Sequence, residues 1–416
     1  MFSNRLLMVF LLTLSGNAFA STTWYVNGLN GSDANNCKSP TTACKTIGHA
    51  ISLASSGDSI NVAAATYFEG LSIGKNLTIL GSGCSRTIIN GSSGRGVAHV
   101  VSISSAAVVT LSGLRISGGG SGSTAGGGIY NAGTLILNNS CVDGNHVQGS
   151  GTAGLATGGG IYNASVLTIN NSELSGNTAV ASPATGASGG GIYNKGRLTI
   201  NRSTIEGNSA SGSGSGGEYG GGISNYGTLT INNTTLLRNS AIGSGGGIYN
   251  GGTLIISNAT INGNSAIYGG GGGIDNPGTA VINNSTISQN SAIVGGGIDG
   301  PATLQNSIVA SNSSGGNCSG TIVSSGYNLS SDNTCNFNKT GDLNNTDPLL
   351  GPLQNNGGPT QTMGLLPGSP AIDAGNPTGC TDGQGHLLKT DQRGQPRPDK
   401  EDTGGCDMGA YEKQSD

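Results

Sequence analysis

The sequence predicts an all-β solenoid, a single chain wound into a parallel β-helix. Three observations predict it. A motif opening on three glycines recurs six times, starting at residues 126, 158, 189, 220, 245 and 271, and each copy places an Asn nineteen residues after its first Gly. Apolar residues within each copy alternate with a period of two, the strand period, and no helical spacing recurs. The 78 glycines and 12 prolines would suggest low complexity in an aperiodic chain, but here they fall at fixed corners between Ile, Leu and Val.

Residues 1–20 have the form of a cleavable signal peptide. Arg5 supplies a positive start, Leu6 to Leu14 an apolar run, and Ala18-Phe19-Ala20 an A-x-A cleavage site. The apolar run is too short to cross a bilayer, and Ser21 instead of Cys after the cut argues against a lipoprotein. Export is expected, with a mature chain beginning near Ser21 and no transmembrane segment after cleavage.

Residues 21–57 are read as an N-terminal cap, because an uncovered first coil would expose apolar core and unpaired strand edges. Residues 58–316 are read as the β-helix, with the clear repeats over 126–316. With the first Gly of a copy as position zero, position three is always Ile, and positions nine and eleven are apolar, as in Leu198 and Ile200. Position sixteen is apolar again, as in Ile205. Each copy therefore offers about three short strands. A unit of this size cannot bury its inward side chains alone, but it can once stacked in parallel on its neighbour at about 4.8 Å. Equivalent residues then lie above one another, and the Asn at position five (Asn131, Asn163, Asn194, Asn225, Asn250, Asn276) forms a ladder of side-chain amides. In this reading these Asn also take the left-handed corner conformation. About ten coils give a rod of about 50 Å at the strand spacing.

Two other repeat classes fail. Leucine-rich repeats need helix-compatible sequence on their convex side, which Gly/Ser/Ala loops do not supply. Calcium-binding nonapeptide repeats need a fixed Asp and a shorter period. Between copies, 146–157, 178–188 and 209–219 are long insertions, whereas 240–244, 265–270 and 291–294 are short. The long ones read as surface insertions or as a binding rim.

An exported chain can keep disulfides. The eight Cys form spaced pairs, Cys37–Cys44, Cys318–Cys335 and Cys380–Cys406, leaving Cys84–Cys141 as the fourth, although spacing alone leaves the connectivity open. No pair has C-x-x-C spacing, and His49, His99, His146 and His386 show no ligand pattern, so neither a metal nor a cofactor is expected. The formal charge of −4 with scattered Lys and Arg argues against nucleic acid as a partner. The expected state is a monomer.

The GGGIYN units followed by segments such as GRLTINRSTIEGNSA (196–210) resemble the repeats of polymorphic outer-membrane proteins, which are right-handed β-helices of exported bacterial proteins. That resemblance supplies the handedness and a cell-surface or outer-membrane location. WYVNGLNGSD (24–33) and KTIGHAISLASSGDSINVAAATY (45–67) resemble the opening of many secreted β-helix proteins, in which a short helix, here about 47–54, covers the first coil. GSPAIDAG (368–375), TDQRGQPRP (390–398) and CDMGAYE (406–412) resemble the tail of the choice-of-anchor Q family. Residues 317–416 are accordingly read as a loop-rich C-terminal cap, in which Asp373, Asp391, Asp399, Glu401, Asp402 and Asp407 pair with Arg393 and Arg397. No anchor follows that tail here, which favours release or loose association with the envelope.

The β-helix class also includes pectin lyase-like enzymes, so fold alone does not decide function. One column offers chemistry: position four, with Tyr130, Tyr162, Tyr193, Ser224, Tyr249, Asp275 and Asp299. Flanking the inward Ile, it is expected to face outward, its tyrosines forming a sugar-contacting stripe. Asp275 and Asp299, one coil apart, are the only catalytic candidates, at a separation open to a glycosidase pair. The column holds no cation and no third acid, and a wet corner would not raise a carboxyl pKa. The sequence therefore favours a non-enzymatic surface or secreted protein mediating adhesion or glycan contact, with surface glycans or a neighbouring cell as partner. A polysaccharide lyase or glycoside hydrolase is the alternative, and a structural envelope spacer a third.

Overall fold

The computed structural model describes residues 21–92, 96–120, 122–149, 154–182, 185–212, 217–399 and 405–414; the signal-peptide reading, Glu401 and Asp402 lie outside these. The described chain is a right-handed parallel β-helix. Three long sheets of twelve, ten and eleven strands run along it, and every pairing between successive coils is parallel. Positions eight to twelve of each repeat form sheet A, fifteen to seventeen sheet B, and three to five sheet C. Register is strict: Leu167, Leu198 and Leu229 align, as do Ile161, Ile192 and Ile223. The inward Ile and Leu merge into one continuous buried column, as period-two alternation on a closed coil requires.

Two Asn ladders hold the coils together. At position five Asn131 donates to Asn163 at 2.7 Å, Asn163 to Asn194 at 2.7 Å, and Asn194 to Asn225 at 2.7 Å, and the ladder continues to Asn250 and Asn276. A second ladder at position nineteen, not anticipated as one, runs Asn145, Asn177, Asn208, Asn239, Asn264, Asn290, with each side-chain oxygen also accepting a backbone N–H of the preceding coil. All of these Asn are buried, where unpaired amides would be costly. The left-handed corner belongs to neither ladder. It falls at position thirteen, at Asn139, Asn171, Arg202, Asn233, Asn258 and Asn284, which corrects the expectation that the ladder residues turn the corner. The glycine triplet has a split purpose. Gly189 has φ +68, and a Cβ on Gly190 would lie 2.3 Å from the carbonyl oxygen of Ser209.

Three further differences from the sequence reading shape the surface. First, the solenoid exceeds 58–316 at both ends: Thr23–Val26 is already a strand of sheet A, and Cys318–Ser319, Ile322–Ser324 and Leu329–Ser330 add strands to all three sheets. Helix Ile47–Leu53 packs its Ile47, Ala50 and Ile51 into the first coils as expected. Second, the described parts of the long insertions carry strands. They form two extra small sheets enclosing Val147, Ala156, Ala179, Ala181, Ala187 and Ala210, a ridge beside sheet C. Third, the C-terminal segment does not simply close the end. It folds back along the outer face of sheet B, where Thr235 donates to the carbonyl of Gln361 at 2.6 Å, Thr260 to Gln392 Oε1 at 2.7 Å, and Ala410 N–H to Thr286 at 3.1 Å. Ion pairs do fasten it, Arg393 to Asp391 at 2.7 Å and Arg397 to Glu412 at 2.6 Å, with Arg393 stacked on Tyr411. Burial pushes the Glu412 carboxyl up to about 8, against the pull of Arg397.

All four cysteine pairs are bridged, with Cα separations of 4.9 Å for Cys37–Cys44, 5.6 Å for Cys84–Cys141, 4.8 Å for Cys318–Cys335 and 6.1 Å for Cys380–Cys406. Cys141 leaves the outer side of sheet B to reach Cys84, two coils back along that sheet.

Candidate functional site

Sheet C carries the column at position four. Because position three points inward, position four turns to the outer face, and strict register stacks its side chains coil on coil. Tyr130 and Tyr162 lie with ring centroids 5.1 Å apart and planes 3° apart, and Tyr162 and Tyr193 5.5 Å apart at 13°. Such pairs stabilise by about 0.5–1.5 kcal/mol each beyond area burial. At Ser224 the column would break, but Tyr226 swings into the gap, 5.4 Å from Tyr193 and 5.8 Å from Tyr249. Its hydroxyl bonds to Ser188, Ser224 and Tyr249. Tyr219, at the edge of the ridge, closes on Tyr249 at 4.6 Å, and His99 extends the stripe past Tyr130 at 5.1 Å.

The stripe therefore contains Tyr219, Tyr226 and His99 in addition to the four expected tyrosines. Position four alone could not reveal them, since two come from other positions of the repeat and one lies before the first copy. Six of the eleven tyrosines in the chain converge here, so the face is an aromatic concentration in an aromatic-poor protein. Burial pushes the phenols of Tyr193 and Tyr249 up to about 12, keeping both as neutral donors.

Asp275 and Asp299 stand at the far end of the column, in register on adjacent strands. The pair sits where five consecutive glycines, 269–273, replace bulkier residues; a Cβ on Gly270 would collide with the Asp299 carboxylate. Ser244 hydrogen-bonds to Asp275 and accepts from Gly270 N–H at 3.2 Å. Both acids are only partly exposed. Burial, helped by the Asp299 charge and opposed by the Ser244 bond, pushes the Asp275 carboxyl up to about 6. This overturns the expectation that the corner offers little desolvation. Beside the pair, Ile267, Tyr268, Ile293 and Val294 project from the short-loop end of the ridge, Tyr268 being 75% exposed. Within the ridge itself, Glu218 is buried opposite Ala187, with its carboxyl pushed up by that burial.

The other titratable candidates do not assemble here. Within the C-terminal segment Asp391 accepts from the Glu412 N–H, and Asp407 accepts from the backbone N–H groups of Asp373 and Lys413. His49 lies near Cys37 and Cys44, but both sulfurs are committed to a disulfide. No helix among the described residues is long and apolar enough to cross a membrane.

No protein-family model and no curated protein matches this chain. Among solved structures it is similar to pectate lyase Pel9A, with TM-score 0.52 at 13% identity over 95% of this chain and 97% of that one. Weaker similarity extends to a pectin methylesterase mutant in complex with a hexasaccharide (TM-score 0.32, 14% identity, 63% of this chain and 81% of that one). It extends also to a GH136 lacto-N-biosidase from Eubacterium ramulus (TM-score 0.37, 10% identity, 74% and 58%). The likeness to the pectate lyase establishes a shared pectin lyase-like β-helix architecture and nothing finer.

Proposed function

We propose that this is an exported β-helix protein of the bacterial cell surface or its surroundings that contacts glycans along sheet C. The observation that carries the reading is the aromatic stripe, buried at Tyr193 but partly exposed at Tyr130, Tyr162, Tyr226 and Tyr249, and flanked by the ridge. Stacking between coils explains why the rings lie flat on one another. It does not explain why Tyr226 and Tyr219 are recruited from other positions to keep the stripe continuous. The partly exposed rings of Tyr130, Tyr162 and Tyr249 line a face whose coils repeat at about 4.8 Å, which suits an extended, hydroxyl-rich polymer. Export rests on the signal-like residues 1–20 and the four disulfides, and surface location on the resemblance of the repeats to polymorphic outer-membrane proteins. A glycan array probed with the mature chain tests the reading: binding that falls in Tyr162→Ala supports it, and no binding to any glycan refutes it.

One observation favours a second reading, glycoside cleavage. A carboxyl held at about 6 beside a second carboxylate is suited to general acid–base work near neutral pH. Release of reducing ends from neutral or acidic polysaccharides, abolished in both Asp275→Asn and Asp299→Asn, would establish it. Its absence leaves the pair as the terminus of a binding face.

A further inference from the structure

Sheet A presents a second surface of different character. Over the strands from Val108–Ser112 to Thr228–Asn232 its register never shifts, and each strand sends three side chains outward. The central column reads Thr110, Ile136, Thr168, Thr199, Thr230, all β-branched. The first column is Val108, Thr134, Val166, Arg197 and Thr228, in which Arg197 is the only charge on this face. The third is a polar edge closed by its own ladder: Asn170 donates to Asn138 at 2.9 Å, Asn201 to Asn170 at 2.9 Å, and Asn232 to Asn201 at 3.0 Å. Side-chain ladders of this kind hold a many-stranded sheet flat.

The molecule itself shows what such a threonine column can do. On sheet B the outward Thr235, Thr260 and Thr286 are all engaged by the C-terminal segment. On sheet A, Thr110, Thr168, Thr199 and Thr230 make no side-chain bond among the described residues and stay partly exposed. The C-terminal segment reaches this sheet only further along, where Gly383 packs against Ile255 and Val281.

We propose that the outer face of sheet A binds ice. Methyl groups recur there at about 4.8 Å along the solenoid and about 6.6 Å along the strand, two residues apart, interrupted at Arg197, while hydroxyls recur on successive coils of the central column at Thr168, Thr199 and Thr230. A rigid array with two repeat distances is complementary to a ligand that also repeats in two dimensions, which a crystal surface does and a single flexible polymer does not. Near-absence of charge matters because ions order water against the lattice, whereas alternating hydroxyl and methyl groups can sit within it. Aromatic rings, the usual partners of sugar faces, are absent from these five strands of sheet A, and the stacked tyrosines lie instead on sheet C. The Asn ladders and disulfides hold the array in place before contact, so little ordering cost remains.

Ice-recrystallisation inhibition and thermal hysteresis of the mature, oxidised chain test this directly. The wild type should inhibit recrystallisation. Thr199→Lys combined with Thr230→Lys should lose that inhibition while keeping the wild-type circular dichroism and melting temperature. Thr204→Lys, on the outer side of sheet B, should retain it, and Thr168→Tyr gives a second, uncharged disruption of the array with the same expected loss. The proposal is overturned if the wild type leaves ice growth unchanged, if the folded sheet A variants inhibit as well as the wild type, or if the face adsorbs to microcrystalline cellulose with no effect on ice.

Discussion

Replacing Asp275 by Asn isolates the electrostatics at the end of the aromatic stripe. Burial, with the neighbouring Asp299 charge, raises the carboxyl from an ordinary 3.8 to about 6. The folded chain therefore holds this proton more tightly than the unfolded chain. Below about pH 4 the group is protonated in both states and carries no penalty; as pH rises through about 4 to 6 the penalty grows, and it is complete at neutral pH. A rise from 3.8 to about 6, at 1.36 kcal/mol per unit, would correspond to ~3 kcal/mol, which partial exposure and solvent screening reduce to about 1–2 kcal/mol. Asp275→Asn should accordingly be more stable than the wild type by about 1–2 kcal/mol near pH 7, with the difference vanishing near pH 3.5. Guanidinium unfolding of both chains at the two pH values measures this. A variant less stable than wild type at neutral pH, or a difference independent of pH, would refute the desolvated-pair account.

Three further outcomes follow from the coil geometry. Ile205→Asp places a carboxylate in the continuous core and should cost several kcal/mol, whereas Thr204→Asp, facing outward, should shift the melting temperature little; equal shifts would mean the register is misassigned. Asn208→Ala removes a side chain that donates to the Leu174 carbonyl and to Asn239 while accepting from Asn177, so a loss of about 3–5 kcal/mol is expected in thermal unfolding. Replacing both Cys84 and Cys141 by Ser opens a span of 57 residues, for which chain entropy alone predicts a loss of about 4 kcal/mol; an unchanged melting temperature would show that the unfolded chain gains nothing from the release.

The repeated core was legible because its signals are local and reinforced by repetition. Inward Ile and Leu, the position-five Asn column and the stacked tyrosines each follow from one interval and a period of two. What depended on contacts between distant segments was not legible. Tyr226 fills the gap at Ser224 from a different position of its own repeat, which only three-dimensional packing reveals. The raised pKa of Asp275 depends on its burial and on the neighbouring Asp299, where the glycine run closes on the pair, not on its place in the motif. The course of the C-terminal segment was missed although a signal existed. Outward positions on sheet B include the charged Arg115, Asp143, Glu173 and Glu206 in the earlier coils, but are the uncharged Thr235, Leu237, Thr260 and Asn262 where the segment covers the strands. Charge leaves a strand face where another part of the chain covers it.

The proposal that sheet C is a glycan-contacting face is tested most directly by titrating the mature chain with oligosaccharides drawn from an array, following tyrosine fluorescence. Saturable binding, weakened at least roughly tenfold (about 1.4 kcal/mol) in folded Tyr130→Ala and Tyr162→Ala variants and unchanged in Thr204→Asp, is the predicted result. Binding that survives loss of both tyrosines, or no binding by the wild-type chain to any oligosaccharide, would contradict it.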